Sequence, residues 1–493
     1  MIKTIDAFKE LTFLSFGYGL SIVLSRSIGF ISLPILSYYF QPDEYGVISL
    51  VQVALSLAVI LTGMNVGSGV SFYFFKNDSS ETKERVIGSG IVYILVTGVT
   101  MSTVLYLFSP YISEILNIRL NRELFYSYTP YLKIGAVYLF FGILMTAFQN
   151  ILRLHKQPYK YLVCELTNFT VNILLLLLFI CFFGFGLEGV FWARAAGVFA
   201  GCSVGLFYVK KKFALCISSS LLFPILFYSL PQFPALIMGW GQTQSSRLFI
   251  NYFTDLHQQG VFAVAFAFAS VLSLGNAAFR LAYDPFALSI MKNSNAKKTY
   301  ADVYSAYILL FGILLLSFTC FAQCAINLLT PQEYHDAHLI SYFLAGSFFM
   351  TGCNNILGTG IWVSGKTIYS SFCQVFSFVT VVVCSILLIP VYKGLGAAIA
   401  LFAGSVLHSL ALFLVSGKLY KVEYRYFRSL FFVCFAVFFS FAFGSFISGG
   451  QPWSVFLNSF LFFLLLSLFS YLLLAPSGTL KLMKNFLHAK GWV

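Results

Sequence analysis

Four arginines, Arg26, Arg194, Arg247 and Arg280, lie inside apolar stretches long enough to cross a bilayer. An arginine at the bilayer centre costs about 2.5–3.5 kcal/mol on insertion scales, so it is retained where it faces a wet cavity or a partner. Guanidinium keeps its charge and grips pairs of oxygens in a fork. Four of them in one membrane chain therefore point to a cavity that holds an anion. They are not equivalent. Arg26 lies near the middle of its stretch, farthest from either interface, and is the first candidate to line such a cavity. Arg247 lies about six residues from the outer end of its stretch, where snorkelling to the headgroups is an alternative. Arg194 lies in the outer part of its stretch and could equally mark the interface. Arg280 has Asp284 one turn later, so the plainer alternative to substrate binding is an i,i+4 ion pair. Glu165 is the one carboxylate well inside a stretch with no obvious local partner. An intramembrane carboxylate, Glu165 or Asp284, can carry a coupling proton or hold sodium. For Glu165 a hydrogen-bonded structural role is the alternative. A rise of 1.5 Å per residue separates Glu165 from Arg194 by roughly 10 Å along the membrane normal, so the two are not expected to pair.

The elements that must position these residues are membrane helices. Hydrophobic residues make up 59% of the 493, charged residues 10%, and the mean hydropathy is +0.86, which places the chain in the polytopic membrane class. Runs of roughly 20 apolar residues predict spans over 12–39, 46–74, 87–109, 125–151, 160–183, 187–209, 221–252, 260–290, 303–329, 337–363, 368–390, 394–417, 429–448 and 454–474. The net charge of +13 is a matter of topology and excludes a nucleic-acid surface. With the N-terminus inside, 22 of the 30 basic residues fall in cytoplasmic stretches and 3 in outer loops, so both termini are expected in the cytoplasm. The first apolar run is too long for a cleavable signal and lacks a small-residue cleavage site. The ten cysteines avoid the outer loops and show no CxxC or Cys/His spacing, so neither disulfides nor a metal site is expected.

The chain also repeats itself. Tyr38-Tyr39-Phe40 followed by Gly46-Val47 recurs as Tyr252-Phe253 followed by Gly260-Val261. Lys156 and Tyr159 recur as Lys366 and Tyr369, and Gly186-Leu187-Glu188-Gly189 as Gly394-Leu395-Gly396, at offsets of 207 to 214 residues. Six spans per repeat is an even number, so the copies run parallel about a pseudo-two-fold axis along the membrane normal, with the substrate site between halves. The expected division is 1–212, a six-helix half ending at the basic run Lys210–Lys212; 213–420, a second half; and 421–493, two further helices and a cytoplasmic tail. Pro34 in the first span, and Pro224, Pro231 and Pro234 in the seventh, are candidate hinges, because proline removes a helix hydrogen bond and bends the axis. Gly360 to Thr367, GIWVSGKT, matches a phosphate-loop pattern, but it follows an apolar span instead of a strand, so no nucleotide is expected.

Leu24-Ser25-Arg26-Ser27-Ile28-Gly29-Phe30 with Leu33-Pro34, then Pro42-Asp43-Glu44-Tyr45-Gly46, resembles the opening of Wzx-type polysaccharide flippases. Gly365-Lys366-Thr367, Leu388-Ile389-Pro390 and Gly394-Leu395-Gly396-Ala397-Ala398-Ile399-Ala400 resemble their second half. The resemblance covers about residues 10–420 and extends to the multidrug/oligosaccharidyl-lipid/polysaccharide transporter superfamily. It implies an all-α fold of about fourteen transmembrane helices in the bacterial inner membrane. It also implies flipping of an undecaprenyl-pyrophosphate-linked oligosaccharide to the outer leaflet by alternating access, for O-antigen, capsule or similar polysaccharide. A polysaccharide polymerase and a chain-length regulator are the expected partners, beside membrane lipids. No cofactor is expected; a proton or sodium gradient is the candidate for coupling. The rivals are a cation-coupled drug exporter of the same superfamily, which would want an acidic cavity, and a membrane polymerase or ligase. An enzyme of that kind is disfavoured because the longest outer loop, about residues 110–124, has no histidine or evident acid/base pair.

Overall fold

The computed structural model describes residues 28–118, 126–213, 219–291, 293–366 and 368–447, together with Gly19, Ser21 and Leu24. Arg26 and the fourteenth expected span lie outside the described residues, and every regular element within them is helical. The chain forms two compact units, Met1–Ala263 and Val264–Val493. The sequence places the boundary between halves at the basic linker; the compact units divide about fifty residues later.

In the first unit, α1 (Ile28–Tyr39) leads into α2 (Pro42–Gly63) and α3 (Val66–Lys76), which together make one broken span. The break is Met64-Asn65, both left-handed at φ 37° and 59°. Then follow α4 (Ser80–Leu107), the short α5 (Ser109–Leu116), α6 (Thr129–Leu154), α7 (Pro158–Leu177, continued as a wide turn over Leu178–Phe182) and α8 (Gly186–Val209). The expected outer loop after α4 thus contains a helix. Its end is fastened by the Tyr128 N–H donating to Ser113 Oγ at 3.0 Å and by Asn117 bonding the backbone of Tyr126.

Lipid offers helices little hydrophobic drive to associate, so small residues set how closely they pack. On α8 Gly197, Gly201 and Gly205 recur every four residues, one face of a helix, and meet Asn168 of α7, Met145 of α6 and Phe148 of α6. α9 (Ser219–Ser229) and α10 (Phe233–Phe253) pack with these helices: α9 against α3 and α4, α10 against α2. Polar side chains tie α2 to its neighbours. Trp240 donates to Ser56 at 2.8 Å, Gln259 to Ser49 at 3.0 Å and Asn65 to Gln232 at 3.0 Å. The two motif copies also meet here. A side chain on Gly46 would strike the Leu256 carbonyl, and one on Gly260 the Pro42 carbonyl.

α11 (Leu256–Ala269) spans the division between units and is bent by 42° from α12 (Val271–Ile290). The second unit continues with α13 (Ala296–Leu329), α14 (Ala337–Leu357), α15 (Thr359–Val363), α16 (Ile368–Leu419) and α17 (Tyr426–Ile447). α16 turns back on itself at Lys393 (φ 52°): Ser377 Oγ donates to the Gly404 carbonyl at 2.9 Å, which a straight helix would hold some 40 Å apart. It therefore supplies the eleventh and twelfth expected spans. α14 is central, packing against α12, α13, α16 and α17. A network of tyrosine hydroxyls joins these helices: Tyr307 to Asn276 and Tyr304 to Ser429, both at 2.7 Å, and Tyr426 to Ser409 at 2.8 Å. Buried hydroxyls need such partners where no water reaches them.

Candidate anion site

Tyr45 stands in the first turn of α2. Pro42 opens that helix, and Glu44 accepts a hydrogen bond from the Gln41 backbone N–H at 3.1 Å, which fixes the entry of the chain. The Tyr45 ring is 7% exposed, and both Arg194 of α8 and Arg247 of α10 are its electrostatic neighbours. Tyr138 of α6 is a further neighbour of Arg194. Arg247 is 8% exposed and Arg194 half-buried. Residues of four helices of one unit, α2, α6, α8 and α10, thus place two guanidinium groups within electrostatic range of two phenols. Removing a guanidinium from water is costly unless hydrogen-bonding groups replace its hydration. Phenol oxygens can accept from guanidinium and donate to the oxygens of an anion, so this set can hold a phosphate-like group in a dry setting.

Arg194 and Arg247 each lie within electrostatic range of Tyr45, near the start of α2. Arg26 lies outside the described residues. Arg280 is in the other unit. Its Nε lies 3.1 Å from Asp284 Oδ2 and its side chain is 57% exposed, the local ion pair that the i,i+4 spacing allows. Glu165 on α7 is buried, and its Oε1 accepts a hydrogen bond from Gln149 Nε2 of α6 at 2.8 Å. Asn168 and Asn172 continue the same buried face of α7. Among the described residues no cluster of histidine, cysteine, aspartate and glutamate could hold a metal ion.

Of the hinge candidates, Pro231 lies within a bend and Pro234 just after it. A tight turn at Leu230–Gln232 joins α9 to α10, and the two axes differ by 46°. Pro224 lies inside α9. Pro34 leaves its carbonyl to the Ser37 hydroxyl at 3.1 Å. Gly360 to Lys366 of the phosphate-loop pattern lie in α15 and the turn after it, with Gly360 packed against Ser416, and the helix α14 precedes them. Sequence reasoning missed Tyr45 and Tyr138. A tyrosine directly after an acidic pair, just inside an apolar run, is the signal that could have flagged Tyr45.

The fold has known counterparts. A structure of the lipid II flippase MurJ in an inward closed conformation superposes with a TM-score of 0.71 at 13% identity, over 94% of this chain and 100% of that one. An inward-facing multidrug resistance MATE family transporter of the MOP superfamily gives 0.68 at 13% identity, over 80% and 94%. A mutant of the Vibrio cholerae MATE transporter VcmN gives 0.61 at 15%, over 85% and 98%. At these identities the likeness is one of fold, that of a multi-pass all-helical membrane protein. No curated protein sequence matches the chain. Residues 15–280 match the family described as polysaccharide biosynthesis protein, and on that match, which covers more than half of its length, the chain belongs to that family.

Proposed function

We propose that the protein is a flippase that carries an oligosaccharide, joined by a diphosphate to undecaprenol, from the inner to the outer leaflet of a bacterial inner membrane. The observation that carries this reading is the placing of Arg194 and Arg247, the latter buried, within electrostatic range of Tyr45 inside a chain of the polysaccharide biosynthesis family. A diphosphate with its sugars cannot cross hydrocarbon unaided. It needs a polar path with fixed cations, while the polyprenyl tail stays in lipid. Alternating access would present that path to each side in turn, with the bend at Leu230–Gln232 as one hinge. The protein then acts as a transporter and not as an enzyme, upstream of a polymerase and its chain-length regulator, with both termini cytoplasmic. Arg26 completes the cationic path on this reading. Glu165 is the candidate for coupling to a proton or sodium gradient, and Asp284, already committed to Arg280, the weaker one.

The test is transport of a fluorescent polyprenyl-diphosphate oligosaccharide in proteoliposomes. Arg247→Ala should slow flipping roughly ten- to a hundredfold, the value of a charged hydrogen bond lost from a dry site. Arg247→Lys should recover little, because an ammonium lacks the fork. Arg26→Ala should block transport at normal protein yield. Wild-type rates in both alanine variants would sink the reading.

A further inference from the structure

A cavity of about 1030 Å³ lies within the first unit, at the end opposite Tyr45 along the broken α2–α3 span. Its volume is at the top of the range, roughly 300–1,000 Å³, that holds small ligands. Its lining has two characters. Arg153 of α6 and Lys76 of α3 bring positive charge, and the amides of Gln149 and Asn150 bring donors and acceptors. Asn65, Ser68, Ser71 and Thr146 add further polar groups; the rest is mostly apolar, largely from α2, α3, α4 and α6, with an aromatic pair: Phe72 and Tyr228 stack at 4.3 Å between centroids and 11° between planes.

The polar groups are braced. Arg153 Nη2 donates to Asn150 Oδ1 at 2.7 Å, and Asn150 Nδ2 donates to the Gly67 carbonyl of α3 at 3.2 Å. Gln149 is held by Glu165. A site whose side chains are already fixed loses less freedom on binding. Two cations at one end suit two linked phosphates. Paired amides suit vicinal hydroxyls, and a stacked aromatic face suits the C–H face of a sugar ring. A crevice meant only for acyl chains would need none of these. We propose that this cavity binds a sugar diphosphate, with Arg153 and Lys76 on the phosphates and the amides and stacked rings on the sugar. The proposal rests on the flippase reading for its substrate class, and it assigns that substrate a docking site within the first unit, apart from the arginine–tyrosine centre. The site also borders both broken spans. Asn65, at the left-handed break of α2–α3, lines it and donates to Gln232 in the turn between α9 and α10. A ligand held between Arg153 and Tyr228 therefore bridges α6 and α9 beside the hinge.

The experiment uses full-length protein in nanodiscs and a photoreactive farnesyl-diphosphate-linked N-acetylglucosamine. Cross-links should map to residues 59–76 and 143–153. Arg153→Ala should weaken binding roughly tenfold or more, as expected for a lost charge-assisted fork, and Arg153→Lys should restore part of it. Tyr228→Leu, at a partly exposed position that should fold normally, should weaken binding several-fold. UDP-N-acetylglucosamine, a soluble sugar diphosphate, should compete, while farnesyl phosphate should not. Equal competition by farnesyl phosphate, cross-links elsewhere, or unchanged affinity in both variants overturns the site. Transport of the same probe in proteoliposomes separates the two claims. Normal transport with normal binding in Arg153→Ala removes the site and leaves the flippase reading. Binding at this site with no transport by the wild type keeps the site and removes that reading.

Discussion

Lys212 shows how a single residue reports its surroundings. It follows α8 in the basic linker, outside the spans, and its Nζ donates to Gln157 Oε1 at 2.6 Å. Burial, and then the charge of Lys160, push its ammonium down from the usual 10.5 to about 8. The folded protein therefore sheds this proton before the unfolded chain does. Below about pH 8 both states are charged, and the penalty for the partly buried ammonium is fully present. Between about 8 and 10.5 the unfolded chain binds more protons, so stability gains from this residue as pH rises. The melting temperature of the wild type minus that of Lys212→Met should thus rise from pH 7 to pH 10; a difference that stays flat or falls with pH refutes the assignment. The same logic separates the arginines. Arg280 keeps water and a carboxylate within reach, whereas Arg247 is held where only protein or a ligand can replace water. The Arg280–Asp284 pair was legible from the i,i+4 spacing; the burial of Arg247 was not.

At the scale of elements, the close approach of α2 to α11 is the most exacting contact in the first unit. Both helices present a glycine, Gly46 and Gly260, to the other's backbone carbonyl. Backbone cannot yield as a flexible side chain can, so Gly260→Ala should cost about 1–3 kcal/mol and lower the yield of monodisperse protein. Gly417→Ala, where nothing lies within 4 Å, is the matched control and should melt as the wild type does. Size-exclusion profiles after heating would decide; equal profiles would show that the helices can part. The repeated Gly-Val motif made this contact legible as a repeat, though not as a contact. The spans were legible because length and apolarity are imposed by the bilayer, and Pro231 and Pro234 announced the bend beside them. Another break was hidden. The 42° bend at Ser270 has no proline beside it, whereas the turn of α16 at Lys393 falls where the expected spans 368–390 and 394–417 part. The Tyr45–Arg194–Arg247 centre was hidden for another reason. Its members sit on helices far apart in sequence, and period along one helix says nothing about which helices meet.

At the scale of the whole molecule, the question is what charge crosses the membrane. The fold alone does not decide, since the solved structures it resembles include a lipid II flippase and a multidrug resistance transporter. Charge separates them. Basic residues stand at both ends of the α2–α3 span: Lys76 and Arg153 line the cavity, and Arg194 and Arg247 lie within electrostatic range of Tyr45. Such a path suits an anion and repels a drug cation. An anion moving outward from a negative interior gains roughly 2.3 kcal/mol per charge per 100 mV. A cation moving the same way loses as much. Proteoliposomes loaded with potassium and given valinomycin develop an interior-negative potential. Outward flipping of the lipid-diphosphate probe should then accelerate, and reversing the potassium gradient should slow it. Acceleration should scale with headgroup charge, so a monophosphate-linked probe should respond less than a diphosphate-linked one. Flipping slowed by the interior-negative potential would mean net positive charge moves outward with the substrate. That result would exclude the uncompensated anion path argued from these basic residues and would favour a cation-carrying cycle.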